Sequence, residues 1–309
     1  MDIAIAATFY TGYSGGRLHA YLAAVGLAGQ GHRVTIVCNQ KPAFLNKLPN
    51  IGGRSAIQFH KVNYQSVRDT DQIKPDLWIV VQERSLNGRF FAPIFENIDK
   101  TDAPTLFLCF ETPNWQVSLL QNFPYGAQDW LISYMARSEA HFLTSSKTGL
   151  RWAREFLPNL NGKNFHVVNP PILSGLYQED LPRDEKLLVA ITRSSSPNKG
   201  FEALVELIPH IPSDFKLIVV DGVGVDIESE KLLMKQASMH QVVVEVKVGI
   251  SDEEKFAILK TCRLLIFPSL FEGFGLPPGE ALFYGTPVLA YELDVLREIY
   301  SDSITYARY

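Results

Sequence analysis

The chain has 309 residues, 46% of them hydrophobic, with 21 glycines, 18 prolines and a formal net charge of −4. That is enough apolar material for two cores of ordinary domain size, and it excludes a disordered chain or a strongly basic nucleic-acid binder. No run of about 18 apolar residues and no basic segment ahead of Ile3 argue for a spanning helix or a secretory leader, so the cytoplasm is the default.

Asp2–Ala7 predicts a first strand, Tyr10–Gly16 a loop, Arg17–Ala28 an apolar-faced helix and Arg33–Val37 a second strand. This β-loop-α-β opening is of the doubly wound type. Leu77–Val81, Thr105–Phe110 and His166–Val168 predict further strands, and Leu131–Ser138 a helix. Asn169-Pro-Pro171 and the polar stretch Gln178–Glu185 read as a linker, because paired prolines stiffen the chain and charges keep it solvated. The domains are therefore set at 1–169 and 170–309.

A second alternation follows, with strands over Leu187–Ile191, Phe215–Val220, Val242–Val246 and Leu264–Phe267. Helices are expected over Phe201–Leu207, Ser229–His240 and Asp252–Leu259. The fold class is α/β, two Rossmann-like doubly wound domains facing one another across a cleft. Ligands of such sheets bind outside the carboxyl ends of the strands, so the strand-to-helix loops are where chemistry is sought. Residues 1–169 carry 16 Lys+Arg against 12 Asp+Glu, a balance of +4, and residues 170–309 carry 13 against 21, a balance of −8. A basic face on the first half would suit an anionic acceptor or a membrane surface, and scattered solvated charges explain the count equally well.

Several patterns read as structural. Cys38, Cys109 and Cys262 each lie beside an apolar run, as reduced core thiols do. His19, His32, His60, His141, His166, His210 and His240 show no metal-ligand spacing. Asp69-Thr70-Asp71 imitates a metal-holding Asp-x-Asp, but it precedes a strand in a polar stretch, where a solvated loop is expected. Gly12-x-x-Gly15-Gly16 lacks the Gly-x-Gly-x-x-Gly spacing, and Val37-Cys38-Asn39 offers no acidic strand end, which speaks against nicotinamide binding.

Two loops carry chemistry. Arg193 and Lys199 flank Ser194-Ser-Ser-Pro-Asn198 between a strand and a helix, a placement that suits a diphosphate gaining charge as it departs. Glu272 and Glu280 bracket a glycine-rich turn into a helix, with Pro277 and Pro278 in its first turn. Glu280 is expected in that same first turn, held as a carboxylate by the helix dipole and accepting from hydroxyls. Gly273, Gly275 and Gly279 let the backbone approach a ligand closely.

Pro268-Ser-x-x-Glu272-Gly-Phe-Gly-Leu-Pro277, followed by Glu280-Ala-x-x-x-Gly-Thr-Pro-Val288, resembles the signature of the family-4 retaining glycosyltransferases of the GT-B fold. The resemblance implies transfer of a sugar from a nucleotide-sugar donor to a hydroxyl of a glycan, a lipid-linked or a small-molecule acceptor. No metal and no cofactor are implied, and a weak peripheral membrane contact through the first domain would fit. The implied catalytic residues are Arg193 and Lys199 on the diphosphate and Glu272 on the donor sugar. Gly273, Phe274, Gly275 and Leu276 would line the donor, Glu280 would hold the ribose, Gly249 the base segment, and Gly15 and Gly16 the first domain's donor loop.

The chain departs from the family in three places. One extra residue separates Arg193 from Lys199, and the segment Cys109-Phe-Glu-Thr-Pro113 lacks the family's His, leaving Glu111 to orient or deprotonate the acceptor hydroxyl. Family members also continue for several tens of residues past the point matching Tyr309, so either a fragment or a form without closing helices is expected. Two other functions remain open from the residues: a nucleotide-sugar-binding protein with little activity, and a glycoside hydrolase. A hydrolase needs one carboxylic acid kept protonated by its surroundings, the reverse of what a helix start does.

Overall fold

A computed structural model describes residues 1–9, 15–42, 45, 56–62, 69–81, 88–109, 134–135, 139–156, 160–172, 181–222 and 224–308. The chain divides into two compact units, Met1–Pro170 and Pro171–Tyr309.

The first unit runs β1 (Asp2–Ala7), α1 (Gly15–Gly29), β2 (Arg33–Cys38), β3 (Ile57–Lys61), β4 (Leu77–Val81) and α2 (Gly88–Thr101), then β5 (Thr105–Cys109), β6 (His141–Thr144), α3 (Lys147–Phe156) and β7 (Asn164–Val167). Its strands form one parallel sheet in the order β3-β2-β1-β4-β5-β6-β7. Strands such as Leu77-Trp-Ile-Val-Val81 are apolar without alternation because helices cover both faces of such a sheet. Trp78, Phe90, Phe91, Phe107 and Phe142 fill its core.

Some of this was not readable from the pattern. β3 and β6 are short and partly polar, and α2 carries Pro93 inside the helix, which reads as a breaker. Gly15 and Gly16 belong to the first turn of α1 rather than to a loop. The first N–H groups of a helix have no intrahelical partner, so glycine is tolerated there. Glu111 and Gly12 lie outside the described residues, and of the helix expected at Leu131–Ser138 only Tyr134 and Met135 are described, both helical.

Asp69-Thr70-Asp71 is a tied-down turn. Thr70 is fully buried and donates to the Pro93 carbonyl at 2.7 Å, Asp69 faces His60 Nε2 at 3.0 Å, and Asp71 faces Lys100. The three cysteines are buried thiols, with burial pushing Cys38 up to about 11 and Cys109 and Cys262 up to about 12. His141 and His166, distant in sequence, meet across β6 and β7 with ring nitrogens 2.9 Å apart. No helix among the described residues is long and apolar enough to cross a membrane.

The second unit runs β8 (Asp184–Thr192), α4 (Phe201–Leu207), β9 (Lys216–Asp221), α5 (Ile227–Met239), β10 (Val243–Val248) and α6 (Asp252–Thr261). It continues through β11 (Cys262–Phe267), α7 (Leu276–Phe283), β12 (Val288–Tyr291), α8 (Asp294–Tyr300) and β13 (Thr305–Ala307). All its strands are parallel, in the order β10-β9-β8-β11-β12-β13. Helix starts follow local chemistry: Asp226 accepts from the Glu228 and Ser229 N–H groups, and Ser251 from that of Glu254. Apolar clusters cover both sheet faces, one built on Phe256, Phe267 and Leu296 and the other on Phe201, Leu204 and Leu233.

Candidate functional site

In the second sheet β9 lies on one side of β8 and β11 on the other, so the loops leaving β8 and β11 diverge at a topological switch point. A crevice opens at such a point, beyond the carboxyl ends of the strands. Arg193 and Lys199 leave β8 there, and Glu272 leaves β11. Asp221 ends β9 and Gly249 follows β10 on the same edge, where the Gly249 N–H donates to the Asp221 carbonyl at 3.0 Å.

The two switch-point loops are stitched together by backbone. Gly200 sits at φ 64°, between the tight turn Pro197–Lys199 and α4, and a Cβ there would stand 1.9 Å from the Pro268 carbonyl oxygen. Only glycine fits that approach. Beside it the Asn198 carbonyl accepts from the Leu270 N–H at 2.9 Å, and the Asn198 side chain donates to the Phe271 carbonyl. Thr192 Oγ1 donates to the Lys199 carbonyl at 2.8 Å. The result is an ion pair between residues 73 apart in sequence: Lys199 Nζ donates to Glu272 Oε1 at 2.5 Å. The Lys199 and Glu272 side chains are 28% and 10% exposed, so the ammonium is the end of the pair that water reaches more.

Arg193 is held from the other side. Asp221, fully buried, accepts from the Ser194 N–H at 3.0 Å and the Gly224 N–H at 3.1 Å, and Ser194 Oγ accepts from the Asp226 N–H. These bonds join the β8 and β9 loops and set the Arg193 guanidinium against Gly222, whose Cβ would lie 3.9 Å from Nη2. A bidentate cation thus stands on the same edge as Lys199.

The glycine-rich segment leans on the end of α8. Gly275, at φ 85°, precedes α7, and a Cβ there would come within 2.6 Å of Leu296 Cδ2. Gly279 packs against Ile172 and Tyr300, and Phe274 is buried with its ring edge-on to Tyr300. Leu276, Pro277 and Pro278 make the first turn.

Glu280 differs from expectation. It is the fifth residue of α7, a turn deeper than the helix start, and is almost wholly buried. The dipole effect fades within the first turn, so it does not govern this carboxyl. Burial pushes the Glu280 carboxyl above the ordinary range, and the Lys255 ammonium, whose Nζ donates to Glu280 Oε1 at 2.9 Å, pulls it back. Lys255 also meets Asp252 at 3.0 Å, so one buried cation serves two carboxylates. Because the folded protein holds the Glu280 proton more tightly than the unfolded chain does, the stability this carboxyl contributes is present at low pH. It is lost as pH rises through the raised value.

Lys255, Asp252, Asn198, Gly200 and Asp221 are the site residues that the pattern did not single out. The one legible signal was the run Ser251-Asp-Glu-Glu254 at a helix start, which places Lys255 one turn in. Among the described residues no group of three or more His, Cys, Asp or Glu side chains is disposed to hold a metal ion.

Residues 177–306, nearly the whole second unit, match the profile of the family described as glycosyl transferases group 1. Over those residues the chain is similar to the group 1 glycosyltransferases. Over 139 residues it is 30% identical to the MMP alpha-(1->4)-mannosyltransferase of Mycolicibacterium hassiacum, covering 44% of this chain and 33% of that protein. Over 121 residues it is 29% identical to the glycogen synthase of Francisella tularensis subsp. novicida, covering 39% and 24%. The matched segment thus spans a third or less of those relatives.

Solved structures extend the likeness to the whole fold. Sucrose-phosphate synthase from Thermosynechococcus elongatus superposes with a TM-score of 0.77 at 14% identity, covering 99% of this chain and 86% of that one. Anabaena HepE, solved in complex with UDP and glucose, superposes at 0.72 with 15% identity, covering 96% and 82%. The fold is the GT-B fold of two parallel-sheet α/β domains.

Proposed function

We propose that the protein is a retaining glycosyltransferase that moves a sugar from a nucleotide-sugar to an acceptor hydroxyl without a metal. The observation that carries this reading is the Lys199–Glu272 ion pair at the switch point of a group 1 glycosyltransferase domain. An ammonium and a carboxylate side by side offer a donor its two needs: a cation for the diphosphate and an acceptor for sugar hydroxyls.

In this reading Arg193 and Lys199 neutralise the diphosphate and bind it more strongly as it departs. Glu272 accepts from hydroxyls of the transferred sugar. Glu280 receives the ribose, since bonding Lys255 through Oε1 leaves acceptor capacity on its other oxygen. The bond from the anomeric carbon to phosphate oxygen breaks, the bond to the acceptor oxygen forms on the same face, and the acceptor proton passes to the departing phosphate. Glu111 is assigned to orient the acceptor hydroxyl, Gly15 and Gly16 to the first unit's donor loop, and Gly249 to the base segment. Catalysis is by positioning and by stabilising the leaving group.

The first unit would take the acceptor and the second the donor. The donor class is supported by HepE, a structural relative solved with UDP-glucose. The enzyme is read as cytoplasmic, and a lipid-linked acceptor would draw it to the inner face of the membrane.

A thermal-shift screen of UDP-glucose, GDP-mannose and ADP-glucose tests the reading. A donor present at 100 times its Kd stabilises the folded state by about 2.7 kcal/mol, and that stabilisation should vanish in Lys199→Ala. No shift with any of the three donors would overturn the proposal. A shift without transfer to any acceptor would leave a donor-binding protein in its place.

A further inference from the structure

The start of α7 is built unlike its neighbours. In α4, α5, α6 and α8 the carbonyl of the residue before the helix accepts from the N–H four positions on: Gly200 from Leu204 at 3.2 Å, and Asp226 from Glu230, Ser251 from Lys255 and Leu293 from Arg297 at 2.9 Å each. The same two groups of α7 are the Gly275 carbonyl and the Gly279 N–H, and both bond a side chain. The Tyr300 hydroxyl donates to the Gly275 carbonyl and accepts from the Gly279 N–H at 3.1 Å. A phenol oxygen is inserted into the first rung of the helix.

Tyr300 comes from the end of α8 and is 6% exposed. Its ring stands edge-on to Phe274, and Leu296, one helical turn earlier, presses on Gly275. Burial pushes its hydroxyl above the ordinary tyrosine range, so the proton stays on oxygen and remains available to Gly275. Glycine at 279 is what admits the phenol, since a Cβ there would stand 2.9 Å from the hydroxyl oxygen.

This geometry decides which backbone donors the loop can offer. Pro277 and Pro278 have no N–H, and that of Gly279 is spent on Tyr300. The backbone donors left at this helix start to meet an anion are those of the residues before Pro277, chiefly Phe274, Gly275 and Leu276. The direction of those N–H groups depends on how far the first turn is held open, and the inserted oxygen sets that opening.

We propose that Tyr300 is a positioning residue of the donor loop, its hydroxyl wedging the first turn of α7 open so that the Gly273–Leu276 backbone is aimed at the nucleotide-sugar. The role rests on the donor-site reading given above. Phenylalanine at 300 would let the Gly279 N–H reach the Gly275 carbonyl directly, closing the turn and swinging the peptides before it.

The test compares wild type, Tyr300→Phe and Tyr306→Phe. Tyr306 is the control because its hydroxyl donates to the Leu296 carbonyl at 2.9 Å, another bond to α8 that does not touch the loop. Affinities for UDP, GDP and ADP are measured by calorimetry well below each melting temperature, with amide exchange of residues 273–279 followed in parallel. Tyr300→Phe should weaken the preferred nucleoside diphosphate about 10-fold or more, the effect of misdirecting a hydrogen bond to a charged acceptor, while Tyr306→Phe leaves it unchanged.

Wild-type affinity in Tyr300→Phe, or equal losses in both variants, would overturn the role of Tyr300 alone. A wild type that binds none of the three would overturn the donor-site reading and this proposal together. Exchange in the wild type decides the matter even if Tyr300→Phe does not fold. The Gly279 amide should be protected in the free protein and unaffected by nucleotide, with residues 273–276 gaining protection, and a freely exchanging Gly279 would refute the wedge.

Discussion

Two ion pairs of the second unit, Lys199–Glu272 and Lys255–Glu280, differ in how far water reaches them. The first lies at the mouth of the switch-point crevice between loops leaving β8 and β11, with side chains 28% and 10% exposed. The second joins α6 to α7, with side chains 12% and 5% exposed and Asp252 against the same ammonium. The more water reaches an ion pair, the less it costs to exchange a partner. A buried pair cannot be opened without stranding a charge, which typically costs about 3–5 kcal/mol. The switch-point pair is the one that the proposed donor would take over, and the more buried pair fixes Glu280 between α6 and α7.

The largest effect should come from breaking the buried pair. Lys255→Met is expected to lose about 3–5 kcal/mol in urea denaturation near neutral pH. The loss should shrink as pH falls, because removing the cation raises the Glu280 carboxyl further above its already elevated value and protonation then neutralises it. A pH-independent loss would mean that packing, not charge, holds Lys255 in place.

Breaking the switch-point pair should cost less stability and more function. Lys199→Ala or Arg193→Ala is expected to lower turnover by about 10²–10³-fold, the effect of losing one preorganised stabilising donor. For Lys199→Ala the melting temperature should fall less than for Lys255→Met, because Lys199 is the more exposed cation, 28% against 12%. Near-wild-type turnover in both variants would remove these cations from the mechanism.

Glu111→Gln asks how much chemistry lies outside both pairs. A loss of about 10²-fold in transfer fits a residue that takes or orients the acceptor proton, and an unchanged rate removes it from the catalytic set. The smallest effect should be that of EDTA. Turnover by an enzyme that handles its diphosphate with Arg193 and Lys199 should not respond to chelation, and a loss restored by Mg²⁺ or Mn²⁺ would contradict the metal-free reading.

Much of the architecture was legible because its signals are local. The strand and helix alternation of the second unit follows apolar runs broken by Gly, Pro and capping residues, and α4 spans Phe201–Leu207 as expected. The order of β8 and β11 around the switch point follows from the doubly wound pattern, which puts Arg193, Lys199 and Glu272 on one edge. α2 was hidden by Pro93, and β3 and β6 by their shortness.

Side-chain roles were less legible because they depend on partners far along the chain. Glu280 reads as a helix-start carboxylate until its fifth position in α7 and its burial against Lys255 are known. The Asp69-Thr70-Asp71 turn reads as solvated until Thr70 is found buried beneath α2.

From residue order alone came the doubly wound class, an expected boundary near Asn169-Pro-Pro171, and a glycine-rich loop with two carboxylates and two cations as the candidate site. Backbone conformation and hydrophobic period act over a few residues, and a sequence displays them directly. Tertiary structure decided that Lys199 meets Glu272, that Lys255 is shared by Asp252 and Glu280, and that Tyr300 enters the first turn of α7. Each of these depends on which helix packs over which strand end, and on which groups are then cut off from water and must find a partner in the protein.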